Sequence, residues 1–330
     1  MSRTAIAGRF LEVRAAPRTF SDGRFYNICY KSAMEEQRPI AAVRQMLEML
    51  IGGPDTPFME RRLQAKKFAE AFALPSGLSV ESDRLGGVKA EWVVPDNASP
   101  SPALLHLHGG GYVLGDPAGS RALTTALALK TGKSVVSIDY RLAPEHPFPA
   151  AVEDALSAYR ALVSRTGSAS RIAVGGESAG GGLTVALLLA ALDAGLPMPA
   201  CAFAISPWVD LTCSAETFDA CAMKDPLLTK RALKEMGHAY LAGADERSPF
   251  ASPVFGELQG LPPLLIQAGS DEVLLDDARL LNASARNAGV ASELEVWDGM
   301  IHVWHMFHPM LPEGELAIDS IVRFVQSHWR

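Results

Sequence analysis

The stretch RIAVGGESAGGGLTVALLLAALDAG, residues 171–195, decides the fold of this 330-residue chain. It opens with a short apolar segment typical of a buried strand and ends in a long apolar run typical of a buried helix. Between the two, GESAG (176–180) fits the pattern G-x-S-x-G. Small neighbours of Ser178 allow a sharp strand-to-helix turn. In that context the pattern predicts an exposed serine nucleophile at the N-terminus of a helix, whereas a turn without chemistry is the competing interpretation.

Strand and helix patterns alternate on both sides of this turn. Residues 78–95 read LSVESDRLGGVKAEWVVP, which predicts a hairpin that turns at Gly86–Gly87. Further strands are predicted at 102–108, 134–140, 171–177, 201–207, 262–270 and 292–299, and helices at 120–132, 150–165, 181–195, 275–289 and 314–328. Short apolar strands separated by helices predict an α/β fold, in which a mostly parallel sheet is covered by helices on both faces.

Composition excludes several classes of protein. Hydrophobic residues make up 48% of the chain and charged residues 20%, with a net charge of −7 and no basic run. Nucleic acid and anionic membrane surfaces are therefore not expected as partners. No stretch is long and apolar enough to span a bilayer, so we expect a cytoplasmic protein without stable membrane insertion. The four cysteines, of which Cys201 lies in an apolar run, predict neither a disulfide framework nor a zinc site.

A glycine-rich segment, HGGGYVLGD (108–116), follows the strand predicted at 102–108. Such glycines could cradle a phosphate. However, neither G-x-G-x-x-G leading into a helix nor the P-loop lysine followed by serine or threonine is present. Upstream of a G-x-S-x-G turn, these glycines favour an oxyanion hole, because free backbone amides must approach the substrate without intervening side chains.

Near the C-terminus the chain reads GMIHVWHMFHPM (299–310), with His302, His305 and His308 at intervals of three. This spacing is compatible with a metal site, with one face of a helix, or with a single catalytic base beside two other histidines. The glutamate that zinc peptidases place between their histidines is absent here. We therefore predict no metal, and Pro309 limits the length of any helix that contains these residues.

Taken together, these motifs resemble the hormone-sensitive-lipase-like branch of the α/β-hydrolase esterases, the bacterial family IV carboxylesterases. The matching segments extend over roughly two-thirds of the chain and are HGGGYVLGD (108–116), DYRLAPEHPFPAAVED (139–154), GGESAGGGL (175–183), SPWVDL (206–211) and GMIH (299–302). The resemblance implies an α/β-hydrolase fold with a mostly parallel eight-stranded sheet, helices on both faces and a helical cap. It also implies a catalytic domain over 53–330, with cap elements from 1–52 and from the insertion 208–250.

The same resemblance implies a Ser–Asp–His triad that acts through an acyl-enzyme without any cofactor. Its members here would be Ser178, Asp271 and His302. Asp271 begins DEVLLD (271–276), where the family has D-P-L-x-D, and Glu272, Asp276 and Asp277 are the other acids of this stretch. Asp276 and Asp277 are expected to start the next helix. The oxyanion hole would be formed by backbone amides of the following residues: Gly110, Gly111, Ala179 and Gly109.

Family position also suggests the walls of the substrate pocket. Tyr112 and Trp208 are expected to line it, with core packing as the alternative for each. Val303 and Trp304 replace the small residue and the aromatic that the family places after its histidine, so substrate preference is expected to depend on Val303.

The function implied by these residues is hydrolysis of carboxylic esters of short to medium acyl chain, within lipid metabolism. The partner would be a small-molecule ester or lactone, and a homodimer is expected because relatives often form one. A lactone hydrolase on the same triad is an alternative. A peptidase or amidase is less favoured, because no propeller repeat is present. A non-catalytic receptor on the same fold would be expected to have lost a triad residue.

Overall fold

The structure is a computed structural model, and it describes residues 39–50, 56–70, 73–96 and 98–329. Most of the expected N-terminal cap segment 1–52 therefore lies outside the described residues, apart from helix α1. The described α-helices are α1 (Pro39–Leu50), α2 (Phe58–Glu70), α3 (Arg121–Thr131), α4 (Ala150–Thr166), α5 (Ala179–Asp193), α6 (Thr217–Ala220), α7 (Lys230–Leu241), α8 (Leu275–Asn287) and α9 (Pro312–His328).

Eight strands form one sheet. They are β1 (Leu78–Leu85), β2 (Val88–Pro95), β3 (Ser99–Leu107), β4 (Lys133–Ile138), β5 (Ile172–Glu177), β6 (Cys201–Ile205), β7 (Leu264–Gly269) and β8 (Ser292–Trp297). Their spatial order is β1-β2-β4-β3-β5-β6-β7-β8. The first two strands form the predicted hairpin, β2 runs antiparallel to β4, and β3 to β8 are parallel to one another. The predicted mostly parallel α/β sheet is confirmed.

The apolar strands are buried because helices cover both faces of the sheet. Every residue of β5, β6 and β7 is buried. Along β3, Leu104 packs in a cluster with residues of α3 and α9, whereas Leu105 packs in another with α4 and α5. Successive strand side chains point to opposite faces, so an uninterrupted apolar run serves two helical layers at once. Each fully buried leucine contributes about 1.5–3 kcal/mol to folding.

Helix α5 occupies a central position in this arrangement. It packs against β5 and β6 and against α4 and α8, and its residues from Ala179 to Ala191 are all buried. A helix that is apolar on every side is stable only when it is enclosed in this way. The N-terminus of α5 follows directly from the carboxyl end of β5, and this connection contains the G-x-S-x-G segment.

Parallel strands place their carboxyl ends along the same edge of the sheet, where ligand sites of open α/β folds form. The segments that follow β3, β5, β7 and β8 therefore meet at this edge, and they contain the glycine-rich stretch and each proposed triad residue. Between β6 and β7, α6 and α7 interrupt the strand–helix alternation, within the expected insertion 208–250.

The structure also bears on the cysteines and on possible membrane-spanning helices. Cys201, Cys213 and Cys221 are buried free thiols, in agreement with the prediction for Cys201, whereas Cys29 lies outside the described residues. No helix in the described ranges has the length and apolar character needed to cross a bilayer.

Candidate active site

Ser178 occupies a strained turn between β5 and α5. Its φ of 58° and ψ of −122° lie outside the regions that residues with a side chain ordinarily adopt. Such a conformation costs about 1–3 kcal/mol and persists only where its surroundings hold it. The Ser178 N–H donates to Ile205 O at 2.8 Å, and Ser178 O accepts from Gly182 and Trp208 N–H groups. A side chain at Gly176 or Gly180 would collide with the backbone at Leu107, which explains the glycines on both sides.

The Ser178 hydroxyl faces His302. The distance between Ser178 Oγ and His302 Nε2 is 2.9 Å, and both side chains are buried. Burial, together with the charge of Arg61, lowers the pKa of His302 to about 3. The imidazole is therefore neutral at ordinary pH, and Nε2 can accept the serine proton. This pair has the geometry of a nucleophile and its general base.

Hydrogen bonds to Ser206 and, through it, to Glu272 stabilise the turn that contains His302. Val303 has a φ of 51°, a conformation that a β-branched residue adopts only under constraint. Its N–H donates to Ser206 Oγ at 3.1 Å, and Ser206 Oγ donates to Glu272 Oε2 at 2.8 Å. Glu272 is fully buried, and burial raises its pKa to about 8. Residue spacing does not reveal this chain of contacts, because Ser206, Glu272 and Val303 are far apart along the chain.

Asp271 directly follows β7, but its carboxylate does not contact His302 in this structure. Instead Asp271 Oδ2 pairs with Arg44 Nη2 of α1 at 2.9 Å, and Oδ1 lies 3.5 Å from Lys224 Nζ. The Asp271 N–H donates to Met300 O at 3.0 Å, so its backbone adjoins the turn that carries His302. Nδ1 of His302 is buried and has no hydrogen-bond partner within the described residues.

Asp276 and Asp277 lie in the first turn of α8, as predicted. Asp276 pairs with Arg279 at 3.0 Å, and Asp277 Oδ2 accepts the N–H groups of Val209 and Asp210. These carboxylates therefore hold the start of α8 and the chain after β6, away from His302.

The glycine-rich loop after β3 presents free amides next to Ser178. Gly110 and Gly111 have φ values of 118° and 60°, which residues with side chains rarely adopt. Their N–H groups and that of Ala179, the first residue of α5, donate to no acceptor within the described chain. Gly109 differs from the expectation, because its N–H already donates to Glu177 Oε1 at 2.8 Å. This hydrogen bond holds the loop in place and leaves the Gly109 amide unavailable to another acceptor.

Glu177 joins this loop to the strand-to-helix turn at Ser178, which is called the elbow below. Besides Gly109, its Oε1 accepts from Ser120 Oγ at 2.7 Å, and Oε2 lies 2.7 Å from His106 Nε2. Burial by itself would raise the pKa of Glu177, but His106 and the donors around the carboxylate lower it below its ordinary value. The contacts of Glu177 with His106 and Ser120 could not be predicted from the sequence, because they join separate elements.

His108 braces the same loop. Its Nδ1 donates to Gly109 O at 2.8 Å, and its ring stacks on Tyr140 with 4.1 Å between centroids. The hydroxyl of Tyr140 donates to His108 O at 2.7 Å. Burial lowers the pKa of His108, so the ring is neutral and acts as a structural support.

A cavity of about 190 Å³ opens in front of Ser178 and His302. Within the described residues its remaining walls are Arg61, Gly109, Gly110, Gly111, Leu114, Glu177, Leu227, Leu228, Leu233, Met236 and Val303. Val303, expected in the pocket, lines this cavity, and its effect on substrate preference stays a prediction. A larger cavity of about 680 Å³ opens beside the loop at Tyr140–His146, and neither Ser178 nor His302 is part of it.

Tyr112 and Trp208 do not line the cavity, contrary to the expectation from family position. Tyr112 stacks on Tyr240 with 3.9 Å between ring centroids, and the ring centroids of Trp208 and Tyr112 are 6.1 Å apart. Both are almost fully buried in the core below the cavity, where the Trp208 Nε1–H donates to Asp210 O. Core packing, the alternative reading of each residue, describes them correctly.

The three C-terminal histidines point to different partners. His302 contacts Ser178, His305 Nε2 lies 2.7 Å from Gln267 Oε1, and His308 Nδ1 lies 3.0 Å from Glu315. His305 is fully buried against Trp304 in the short 3₁₀ segment Trp304–Phe307. Within the described residues no group of three or more metal-binding side chains converges, here or elsewhere.

Comparisons with known proteins agree with this geometry. A family model for the alpha/beta hydrolase fold matches residues 104–306. An acetyl-hydrolase of Streptomyces hygroscopicus is 44% identical over 288 residues, which cover 86% of this chain and 95% of that protein. An esterase of Acinetobacter venetianus is 36% identical over 245 residues, which cover 74% and 80% of the two chains.

Solved structures give the same result. The crystal structure of an esterase from the bacterial hormone-sensitive lipase family has a TM-score of 0.85 and 41% sequence identity, and the match covers 88% of this chain and 98% of that one. The strand–elbow–helix geometry, the family match and these relatives agree with one another. The chain therefore belongs to the hormone-sensitive-lipase-like branch of the α/β-hydrolase family and is a carboxylic ester hydrolase.

Proposed function

We propose that this hydrolase cleaves esters through an acyl-enzyme formed on Ser178, with His302 as the general base. The observation that carries the proposal is the 2.9 Å contact between Ser178 Oγ and His302 Nε2 at a strained elbow. In the first step Ser178 Oγ attacks the ester carbonyl while Nε2 takes the hydroxyl proton, and His302 then returns this proton to the leaving alcohol. In the second step water attacks the acyl-enzyme with the same base and releases the acid.

The negative charge that develops on the carbonyl oxygen is stabilised by the amides of Gly110, Gly111 and Ala179. Two observations support this part of the proposal: these N–H groups have no acceptor within the described chain, and Ala179 begins α5. The unpaired N–H groups of a helix N-terminus attract negative charge. Each such donor contributes about 2.7–4 kcal/mol to transition-state stabilisation in hydrolases.

We assign Asp271 as the acid of the triad. It directly follows β7 and its backbone bonds to Met300, two residues before His302, whose Nδ1 lacks a partner within the described chain. In the structure Arg44 and Lys224 hold its carboxylate. A side-chain rotation away from Arg44 would allow Asp271 to accept the Nδ1–H, which would orient His302 and stabilise its cationic form during catalysis.

Glu272 is the competing acid, because it is buried behind the same turn and its Oε1 has no partner within the described residues. Its raised pKa of about 8 argues against this role, since a neutral carboxyl group cannot stabilise an imidazolium.

The cavity supports a preference for small acyl groups. Its volume of about 190 Å³ is below the ~300–1,000 Å³ of sites for drug-sized ligands, and its walls include Leu227, Leu228, Leu233 and Met236. These residues belong to the expected insertion 208–250, which supports its role as a cap. Arg61 on α2 lines the same cavity, so α2 also contributes to the cap. The similarity to an acetyl-hydrolase is consistent with short acyl chains.

Replacing the proposed nucleophile and base should abolish turnover. We expect Ser178→Ala and His302→Ala each to lower kcat by at least about a thousandfold. Removing either member of a cooperating catalytic pair removes the rate enhancement of the whole pair. His305→Gln is the matched control, because His305 contacts Gln267 and not Ser178; it should retain kcat within about threefold. Release of p-nitrophenol from p-nitrophenyl butyrate is the measurement. Retained activity in Ser178→Ala, or an equal loss in His305→Gln, would refute the assignment.

Substitutions at Asp271 and at Glu272 test which of the two is the acid of the triad. We expect Asp271→Asn to lower kcat by about 10²–10⁴-fold, because an amide neither orients the histidine correctly nor stabilises its cation. Glu272→Gln should retain kcat within about threefold, since an amide replaces a carboxyl group that is neutral at pH 7. The same assay applies to both. The opposite pattern would assign Glu272 as the acid.

Acyl length should matter because the cavity is small. We expect kcat/KM for p-nitrophenyl decanoate to be at least about tenfold below that for the butyrate ester, as the longer chain cannot be enclosed. A series of p-nitrophenyl esters from acetate to decanoate measures this, and equal values across the series would contradict the proposal. Unactivated γ- and δ-lactones belong in the same panel, and faster turnover of these than of ethyl butyrate would identify a lactone hydrolase.

The proposed assembly is a cytoplasmic homodimer that pairs through β8. In the described part of the chain, β8 ends the sheet with no strand beyond it, and Val296 on this strand is 43% exposed. Pairing of two β8 strands would satisfy the backbone groups of this edge. Light scattering should give twice the chain mass of 35.2 kDa, and Val296→Lys should shift the protein toward monomer. A monomeric mass for the unchanged protein would exclude the dimer.

A further inference from the structure

Arg61 brings a positive charge to the cavity that contains the nucleophile. It lies on α2 and lines this cavity together with Ser178 and His302. Its Nη2 donates to Leu227 O at 3.1 Å. Its Nη1 is buried and has no hydrogen-bond partner within the described chain. A guanidinium group stays charged at any ordinary pH, and a buried donor without an acceptor is unfavourable.

The acids around Arg61 do not neutralise it directly. Glu177, the acid that lines the same cavity in the described chain, is occupied by His106, Ser120 and Gly109. Asp225 lies within electrostatic range, but its carboxylate accepts three backbone N–H groups, from the residues Leu227, Leu228 and Val273. Burial lowers the pKa of Arg61, and the nearby Asp225 offsets this only in part.

This charge opposes the catalytic step with a neutral substrate. Burial and then Arg61 lower the pKa of His302, so Arg61 disfavours the imidazolium that must form when Ser178 attacks. A negative group on the substrate would offset this repulsion, because Arg61 lines the same cavity as His302. A carboxylate suits the role, because a planar guanidinium can donate two parallel N–H bonds to its two oxygens.

We infer that Arg61 binds a carboxylate carried by the substrate, and that the enzyme favours anionic esters over neutral esters of the same size. The inference rests on the proposed ester-cleaving site and adds the substrate class. The rest of the described cavity wall is mainly apolar, through Leu227, Leu228, Leu233, Met236 and Val303. A short apolar linker between ester and carboxylate therefore fits the chemistry of this site.

Two matched substrate pairs test the inference and locate the carboxylate. Ethyl hydrogen succinate and ethyl pentanoate differ by a carboxylate on the acyl side, and 4-acetoxybenzoate and 4-acetoxybenzamide differ by one on the alcohol side. Rates are followed by chromatography at pH 7.5, and the ratio of anionic to neutral kcat/KM is compared between variants. Turnover of the neutral esters by the unchanged enzyme reports independently on the proposed function.

Arg61→Gln removes the charge but keeps amide donors for Leu227 O. We expect it to lower the anionic-to-neutral ratio by about 10- to 100-fold in at least one pair, which is the size of a charge-assisted hydrogen bond. Arg62→Gln is the control, because it removes the same charge from the same helix, while Arg62 bonds to Val113 O and Glu145 outside the cavity. This variant should leave both ratios within about twofold. Unchanged ratios in Arg61→Gln, or an equal fall in Arg62→Gln, would overturn the inference.

Discussion

The active-site edge depends on the backbone of Ser178, which is held at positive φ between β5 and α5. This conformation exposes the hydroxyl, directs the N-terminus of α5 toward the same point, and is unfavourable by itself. The hydrogen bond to Ile205 and the close contact of Gly176 and Gly180 with the backbone at Leu107 oppose that cost. Since Leu107 ends β3 and Ile205 ends β6, the packing of three neighbouring strands maintains the strained turn. Core stability and nucleophile geometry are thus physically coupled.

The buried carboxylate of Glu177 links the Ser178 turn to the glycine-rich loop after β3. Glu177 is one residue before the nucleophile, and its oxygens contact His106, Gly109 and Ser120. A buried carboxylate is tolerated only when its hydrogen bonds are satisfied, so the loop after β3 is fixed relative to β5. Gly109 holds the loop, which leaves the next two amides available to a substrate.

Two positive charges close to Asp271 and His302 come from helices α1 and α2. Arg44 of α1 holds Asp271, and Arg61 of α2 faces the cavity that contains His302. Both helices precede the sheet in the sequence, so N-terminal elements adjust the electrostatics of residues more than a hundred positions away. If Asp271 contacted His302, it would raise the pKa of the histidine, and a substrate carboxylate at Arg61 would act in the same direction. Under the proposed mechanism, substrate binding at Arg61 and the basicity of His302 would be linked through α2.

The sequence by itself determined the order and type of the elements, the strand-to-helix turn at Ser178, the glycines that line the cavity beside it, and which of three histidines contacts Ser178. Each of these is a local pattern: apolar periodicity, G-x-S-x-G, HGGG, and the position after the last strand. Only the tertiary structure decided that Tyr112 and Trp208 belong to the core, that the Gly109 amide is occupied, and that Asp271 faces Arg44. The network of Glu272, Ser206 and Val303 and the position of Arg61 were also beyond prediction. These outcomes depend on which side chains meet across separate elements and on which donors are already paired, and neither is encoded in the local spacing of residues.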